Sequence, residues 1–172
     1  MDKNSTFSSD RLCFRGISTA DTAHLVAWRS NPQIIRYFRN QHPITRKDHE
    51  RWYQTVYLWD SGRFDFIVIE KQAKKPIGTV GINHIDSREC SCEISYMIAE
   101  PAFQRKGYAV EAIVAMMNTA MREGLHTFFA EVHSQNTASR RTIEKLGYIC
   151  YNVQYPFIIY CKRENLNVSH SC

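Results

Sequence analysis

The sequence predicts a mixed α/β domain: a largely antiparallel sheet with a parallel centre and helices on both faces. Three observations predict it. Ser91 to Gly124 passes from a short apolar run, Ile94 to Ala99, through the loop Gln104-Arg105-Lys106-Gly107-Tyr108-Ala109 into an amphipathic helix. Two strand-like runs, Phe64 to Glu70 and Ile77 to Asn83, are joined by the turn-prone KQAKKP, as in an antiparallel hairpin. Three helical segments precede that hairpin, and alternating strand and helix follow it.

In chain order, Arg11 to Gly16 reads as a first strand with Leu12 and Phe14 on one face. A helix starts at Thr19 to Asp21, carries Leu25, Val26 and Trp28, and ends at Asn31-Pro32. Pro32 suits the first position of a short second helix, NPQIIRYFRN, and Thr45 with Asp48 resembles a capping box opening a third, RKDHERWYQTVYLW. Gly78 and Gly81 inside the second hairpin strand imply a bulge or a close backbone approach. A strand from Cys92 to Ala99 comes next. The helix after it places Ala109, Ile113, Met116, Met117 and Ala120 on one face and stops at Gly124. Phe128 to Val132 is a strand, Asn136 to Leu146 a helix stopped at Gly147, and Tyr148 to Val153 with Pro156 to Cys161 a closing pair.

At 172 residues with no linker, repeat or low-complexity tract, the chain reads as a single domain over 1–172 with an ordered core of about 11–163. Met1 to Asp10 and Glu164 to Cys172 are expected to be loosely ordered. The first ten residues carry no signal-type apolar core, and no run approaches the ~20 apolar residues of a membrane span, which points to a cytoplasmic protein with no membrane partner. Six cysteines and seven histidines show neither C-x-x-C pairs nor zinc-ligand spacing, so no metal is expected and the thiols are free, with Cys13, Cys150 and Cys161 packed inside. The net charge of +5 is spread along the chain instead of forming a basic stripe, which disfavours nucleic acid and suits a small anionic ligand.

A strand feeding a helix through a glycine loop leaves backbone N–H groups free at the positive end of the helix dipole, where phosphates bind. Gly107 would admit an anion closely, and Arg105 and Lys106 add charge; an ordinary strand-to-helix turn has the same spacing. QRKGYA resembles the Q/R-x-x-G-x-G/A acyl-CoA signature of the GCN5-related N-acetyltransferase (GNAT) superfamily. NTASRRTIEKLGY, Asn136 to Tyr148, resembles the N-x-x-S-x-x-x-x-E-K-x-G-[FY] segment of its RimJ/RimL branch. The resemblance runs from about Arg11 to Lys162. It implies the GNAT-type fold, acetyl-CoA as cofactor, and a splay between the Cys92 to Ala99 strand and the next one that admits the pantetheine arm.

By that resemblance Gln104, Arg105, Lys106, Gly107, Tyr108 and Ala109 hold the pyrophosphate, and Met97 and Ile98 supply a backbone donor to the acyl oxygen. Asn136 holds the pantetheine amide, and Ser139 meets the sulfur. Acyl transfer to an amine also needs a base. Glu93, eleven residues before Gln104, and Glu131 occupy the positions from which relatives take theirs. The bland readings are a strand-edge charge for Glu93, an ion pair for Glu131, a helix cap for Asn136 and a solvated position for Ser139.

Trp28 to Tyr53 resembles the N-terminal helices of relatives that acetylate nucleotide-linked amino sugars. On that resemblance Arg29, Arg36 and Arg39 are substrate-binding residues for a diphosphate, since guanidinium groups suit phosphate oxygens. The expected acceptor is such a sugar. A RimJ/RimL-type protein N-terminus and a non-catalytic acyl-CoA-binding module are the alternatives, and a homodimer is compatible with either enzyme.

Overall fold

Strand pairing begins earlier in the chain than the sequence suggests. In the computed structural model, which describes residues 1–164, β1 (Thr6–Ser8) pairs antiparallel with β2 (Leu12–Gly16). Phe7 stacks on Phe14 with ring centroids 4.5 Å apart and meets Phe66 edge-on. The expectation of a loosely ordered Met1 to Asp10 is therefore corrected: one half-buried aromatic, packed against the core, anchors a segment whose sequence shows no alternating pattern. The expected loose end beyond residue 164 lies outside the described residues.

Three helices follow, α1 (Thr22–Arg29), α2 (Pro32–Ile35) and α3 (Arg46–Thr55). The second is much shorter than the ten residues expected. After it the amides of Tyr37 and Phe38 reach back only three residues, to Ile34 and Ile35 at 3.2 and 2.9 Å, a tighter winding that does not propagate. The capping box of α3 is present, with Thr45 Oγ1 accepting from the Asp48 amide at 3.1 Å and Asp48 accepting from the Thr45 amide at 3.1 Å. This helix stops at Thr55, and Tyr57–Trp59 forms a separate short turn.

The sheet is completed by β3 (Phe64–Glu70), β4 (Lys75–Asp86), β5 (Ser91–Ile98), β6 (Thr127–His133), β7 (Ile149–Gln154) and β8 (Phe157–Arg163). Two helices are interleaved with them, α4 (Tyr108–Arg122) and α5 (Thr137–Lys145). Strand order is β1-β2-β3-β4-β5-β6-β8-β7, and every neighbouring pair is antiparallel except β5 with β6. One face packs Phe14, Phe66, Val80, Ile94 and Phe128 against the buried side of α4. The other packs Ile67 and Met97 against Leu25 and Trp28 of α1 and Tyr57.

The parallel pairing is short. It joins Ser91, Cys92 and Glu93 to Thr127, Phe128 and Phe129 and then stops, so the remaining residues of β5 and β6 diverge, the splay expected from the resemblance. On its other edge β5 is held tightly by β4: a β-carbon at Gly78 would fall 1.8 Å from the Met97 carbonyl oxygen, so the close approach expected at this glycine is present. Among the cysteines, Cys161 is buried and Cys13 half-buried, but Cys150 is exposed, contrary to expectation, because it lies on the edge strand β7, all of whose residues are exposed. Among the described residues no helix is long and apolar enough to cross a membrane.

Candidate active site

The loop between β5 and α4 is built to present amides. A short turn at Pro101–Phe103 leads to Gln104, whose side-chain Nε2 donates to the Ile98 carbonyl at 2.9 Å. Arg105 and Gly107 both take left-handed φ, 60° and 83°. Among the described residues, none of the six amides from Arg105 to Val110 has a hydrogen-bond partner. Arg11, just before β2, braces the loop, donating to the Lys106 carbonyl at 3.0 Å and to Glu111 at 2.7 Å, with its guanidinium over the Tyr108 ring. Free amides, left-handed turns and the exposed Arg105 and Lys106 at a 15-residue helix fit an anionic group such as a pyrophosphate. The Tyr108 side chain is buried, so at this position it is the backbone amide that faces the loop's open side.

The splay opens beside this loop. Ala99 donates to the Ile77 carbonyl of β4 at 2.8 Å, and backbone groups of a strand alternate sides, so the amides of Ile98 and Tyr96 turn toward the gap while that of Met97 turns to β4. Of the two expected backbone donors, Ile98 is the one the gap exposes. From the α5 side, Asn136 caps its helix by accepting from the Ser139 amide at 3.1 Å, as the bland reading had it. The Ser139 hydroxyl lies 2.6 Å from the Tyr96 hydroxyl, and burial pushes Tyr96 up to about 12. Tyr96 is a residue that sequence reasoning missed. Period-two alternation along β5 places it on the α4 and α5 face, but nothing local shows that α5 crosses there.

Glu93 and Glu131 share the opposite face, since Glu93 pairs with Phe129, two residues before Glu131. Their environments differ. Glu93 is half-buried with His84 Nδ1 3.4 Å away, and burial raises its pKa above the ordinary carboxylate value, outweighing the lowering by His84. Asn83, its cross-strand partner on β4, has a buried Oδ1 with no partner. Glu131 is taken by Arg39, which donates from both Nε, at 2.7 Å, and Nη2. The ion pair named as the bland reading of Glu131 is therefore what the structure contains.

The three arginines expected to act together do not meet. Arg36 is exposed and lies over the Tyr37 ring, and Arg39 is engaged by Glu131 and stacks over Phe157. Arg29 alone lines a cavity of about 330 Å³, beneath α1 and α3, that also touches Thr79 and Met97. The shared-site expectation fails because α2 is one turn long, so the chain carries Arg36 and Arg39 toward β6 and β8 instead of over β4.

The profile of the family described as "Acetyltransferase (GNAT) domain" matches residues 11–149. Among curated proteins, an uncharacterized N-acetyltransferase, YoaA, of Bacillus subtilis is 29% identical over 143 residues, covering 81% of this chain and 80% of that one. Among solved structures, spermidine N-acetyltransferase from Vibrio cholerae, in complex with CoA and spermine, superposes with a TM-score of 0.78 at 20% identity over 89% of this chain and 94% of its own. Ribosomal-protein-S5-alanine acetyltransferase from Vibrio fischeri gives 0.73 at 20% identity over 92% and 96%.

Proposed function

Since the chain belongs to the GNAT acetyltransferase family, we propose that it transfers the acetyl group of acetyl-CoA to a primary amine, with Glu93 as general base. The gap carries this reading. β5 and β6 part after three paired residues, with the free amides of Arg105 to Val110 at the open end and Glu93 at the closed end. Acetyl-CoA, when bound, supplies a thioester whose C–S bond breaks as the amide C–N bond forms.

In this reading the loop amides, with Arg105 and Lys106, hold the pyrophosphate, and the Asn136 side-chain N–H groups are free for a pantetheine carbonyl. The Ile98 amide is a preorganised donor for the acyl oxygen. Glu93 takes the proton that the ammonium must lose, directly or through one water, and its raised pKa brings it nearer the range in which a general base works best. Asn83 Oδ1, buried and unpartnered beside it, can accept from the same amine. The Ser139 hydroxyl, backed by Tyr96, can pass a proton to the leaving sulfur. Glu131 is a poorer base because Arg39 occupies both its oxygens.

The amine approaches from the face covered by α1 and α3. A nucleotide-linked amino sugar, the acceptor suggested by Trp28 to Tyr53, needs several arginines on one diphosphate; of Arg29, Arg36 and Arg39 only Arg29 lines the cavity, and Arg63, which also lines it, is paired with Asp65. A small amine is the reading retained, with a peptide N-terminus as the alternative. The test is thiol release from acetyl-CoA across a panel of amino acids, amino sugars, polyamines and N-terminal peptides. Release that depends on one amine class supports transfer, whereas CoA binding with no release for any amine would leave a non-catalytic binding module.

A further inference from the structure

Among the described residues, the cavity beneath α1 and α3 holds polar groups without partners. Arg29 Nε is enclosed and makes no hydrogen bond, and both ring nitrogens of His49 are enclosed and unpartnered, with that residue only 5% exposed. Both side chains line the cavity, whose far wall is Met97 of β5. The guanidinium rests over Phe38, 5.0 Å from the ring centroid.

The acids nearby are already engaged. Asp65 accepts from Arg63 Nε at 2.6 Å, and Asp48 accepts from the Thr45 hydroxyl and amide at 2.6 and 3.1 Å and lies 3.5 Å from Arg51. Arg29 is thus a largely enclosed cation with no counter-ion among the described residues. Burial lowers its pKa, aided by Arg63, and burial likewise keeps His49 toward its neutral form. An enclosed charge without a partner is strongly unfavourable, so such a group is tolerated where something else completes it.

We propose that this cavity is the anion subsite for the acceptor, so that the amine acetylated here also carries a singly charged anionic group, foremost a carboxylate, bound by Arg29 and His49. The proposal rests on the acetyl-transfer reading and names its substrate class. The charge count favours a monoanion: Arg63 and Asp65 cancel, and Asp48 at the cavity edge is offset by Arg51, which leaves the one positive charge of Arg29 to satisfy. A diphosphate would bring at least one further negative charge into the same enclosure. A polyamine would add cations beside an unpaired cation. Met97 belongs both to the cavity wall and to the strand bordering the gap, so an anion at Arg29 and an amine at the gap sit within one small molecule of amino-acid type. Trp52, which also lines the cavity, offers an apolar surface for the connecting carbon atoms.

The experiment compares free L-amino acids with their carboxamides, which differ in charge and hardly in shape. Phosphoethanolamine and spermidine are added, with thiol release from acetyl-CoA as one readout and calorimetric binding to the protein alone as the other. The acids are expected to bind and turn over about 10- to 100-fold better than the carboxamides, the range expected for hydrogen bonds to a charged group. That ratio should fall toward one in Arg29→Gln and shrink in His49→Phe. The acid-to-amide ratio in the unaltered protein stands by itself if either variant fails to fold. Preference for phosphoethanolamine, whose phosphate monoester carries about −1.5 to −2 at neutral pH, would overturn the monoanion assignment even if it depended on Arg29. Equal use of acids and amides, or a preference for spermidine, overturns the proposal while acetyl transfer stands. Calorimetric binding of acids without thiol release for any amine would remove the acetyl-transfer reading and leave the anion subsite in place.

Discussion

Glu93 and Glu131 are both carboxylates on one face of one sheet, and what separates them is what each touches. Arg39 holds Glu131, whereas Glu93 is half-buried beside an unpartnered Asn83 oxygen and an exposed histidine. A base works only when deprotonated, and burial raises the Glu93 pKa. The acidic limb of kcat/KM should therefore lie above the ordinary glutamate value of about 4.3. Glu93→Gln should lower the rate on the order of 10²–10⁴-fold at neutral pH and remove that limb. Glu131→Gln should cost far less. Steady-state pH profiles of the two variants check this, and the reverse ranking would transfer the role to Glu131. That Glu93 was a candidate could be read from its spacing to Gln104, and an ion pair was open for Glu131; that Arg39 supplies it could not be read, because Arg39 is 92 residues away in the chain.

At the scale of elements, local signals were the legible ones. Periodicity gave α4, with Ile113, Met116, Met117 and Ala120 all buried, and the Thr45 and Asp48 box gave the start of α3. What escaped was short or tertiary in origin: the three-residue β1, the truncated α2, and the crossing that brings Ser139 to Tyr96. For the loop before α4 the structure changes the reason for the glycine. A β-carbon at Gly107 would lie 3.5 Å from Arg11 Nη2, an ordinary contact, so the constraint is its φ of 83°. Gly107→Ala should cost about 1–2 kcal/mol of backbone strain, read as a lower urea midpoint. Gly107→Val should in addition weaken CoA binding by calorimetry, because the loop cannot keep its amides aimed at one point. Unchanged CoA affinity in Gly107→Val would remove this loop from the cofactor site.

On the scale of the whole molecule, β1 to β5 form one half-sheet and β6 to β8 another, joined among the described residues by the short pairing of Ser91 to Glu93 with Thr127 to Phe129 and by the Cys90 carbonyl beside it, which accepts from His126 and Thr127. Such a body behaves like a clothes-peg: a stiff limb on each side, a short spring at one end, and jaws whose separation an occupant sets. The jaw amides of Tyr96 and Ile98 have no strand to bond on their open side, so they should exchange with deuterium far faster than neighbours such as Ala99 that are held by β4. Coenzyme A held in the jaws should slow those two amides selectively and leave the spring at Ser91 to Glu93 unchanged. Slow exchange at Tyr96 and Ile98 in the free protein would mean that the peg is closed before anything enters it.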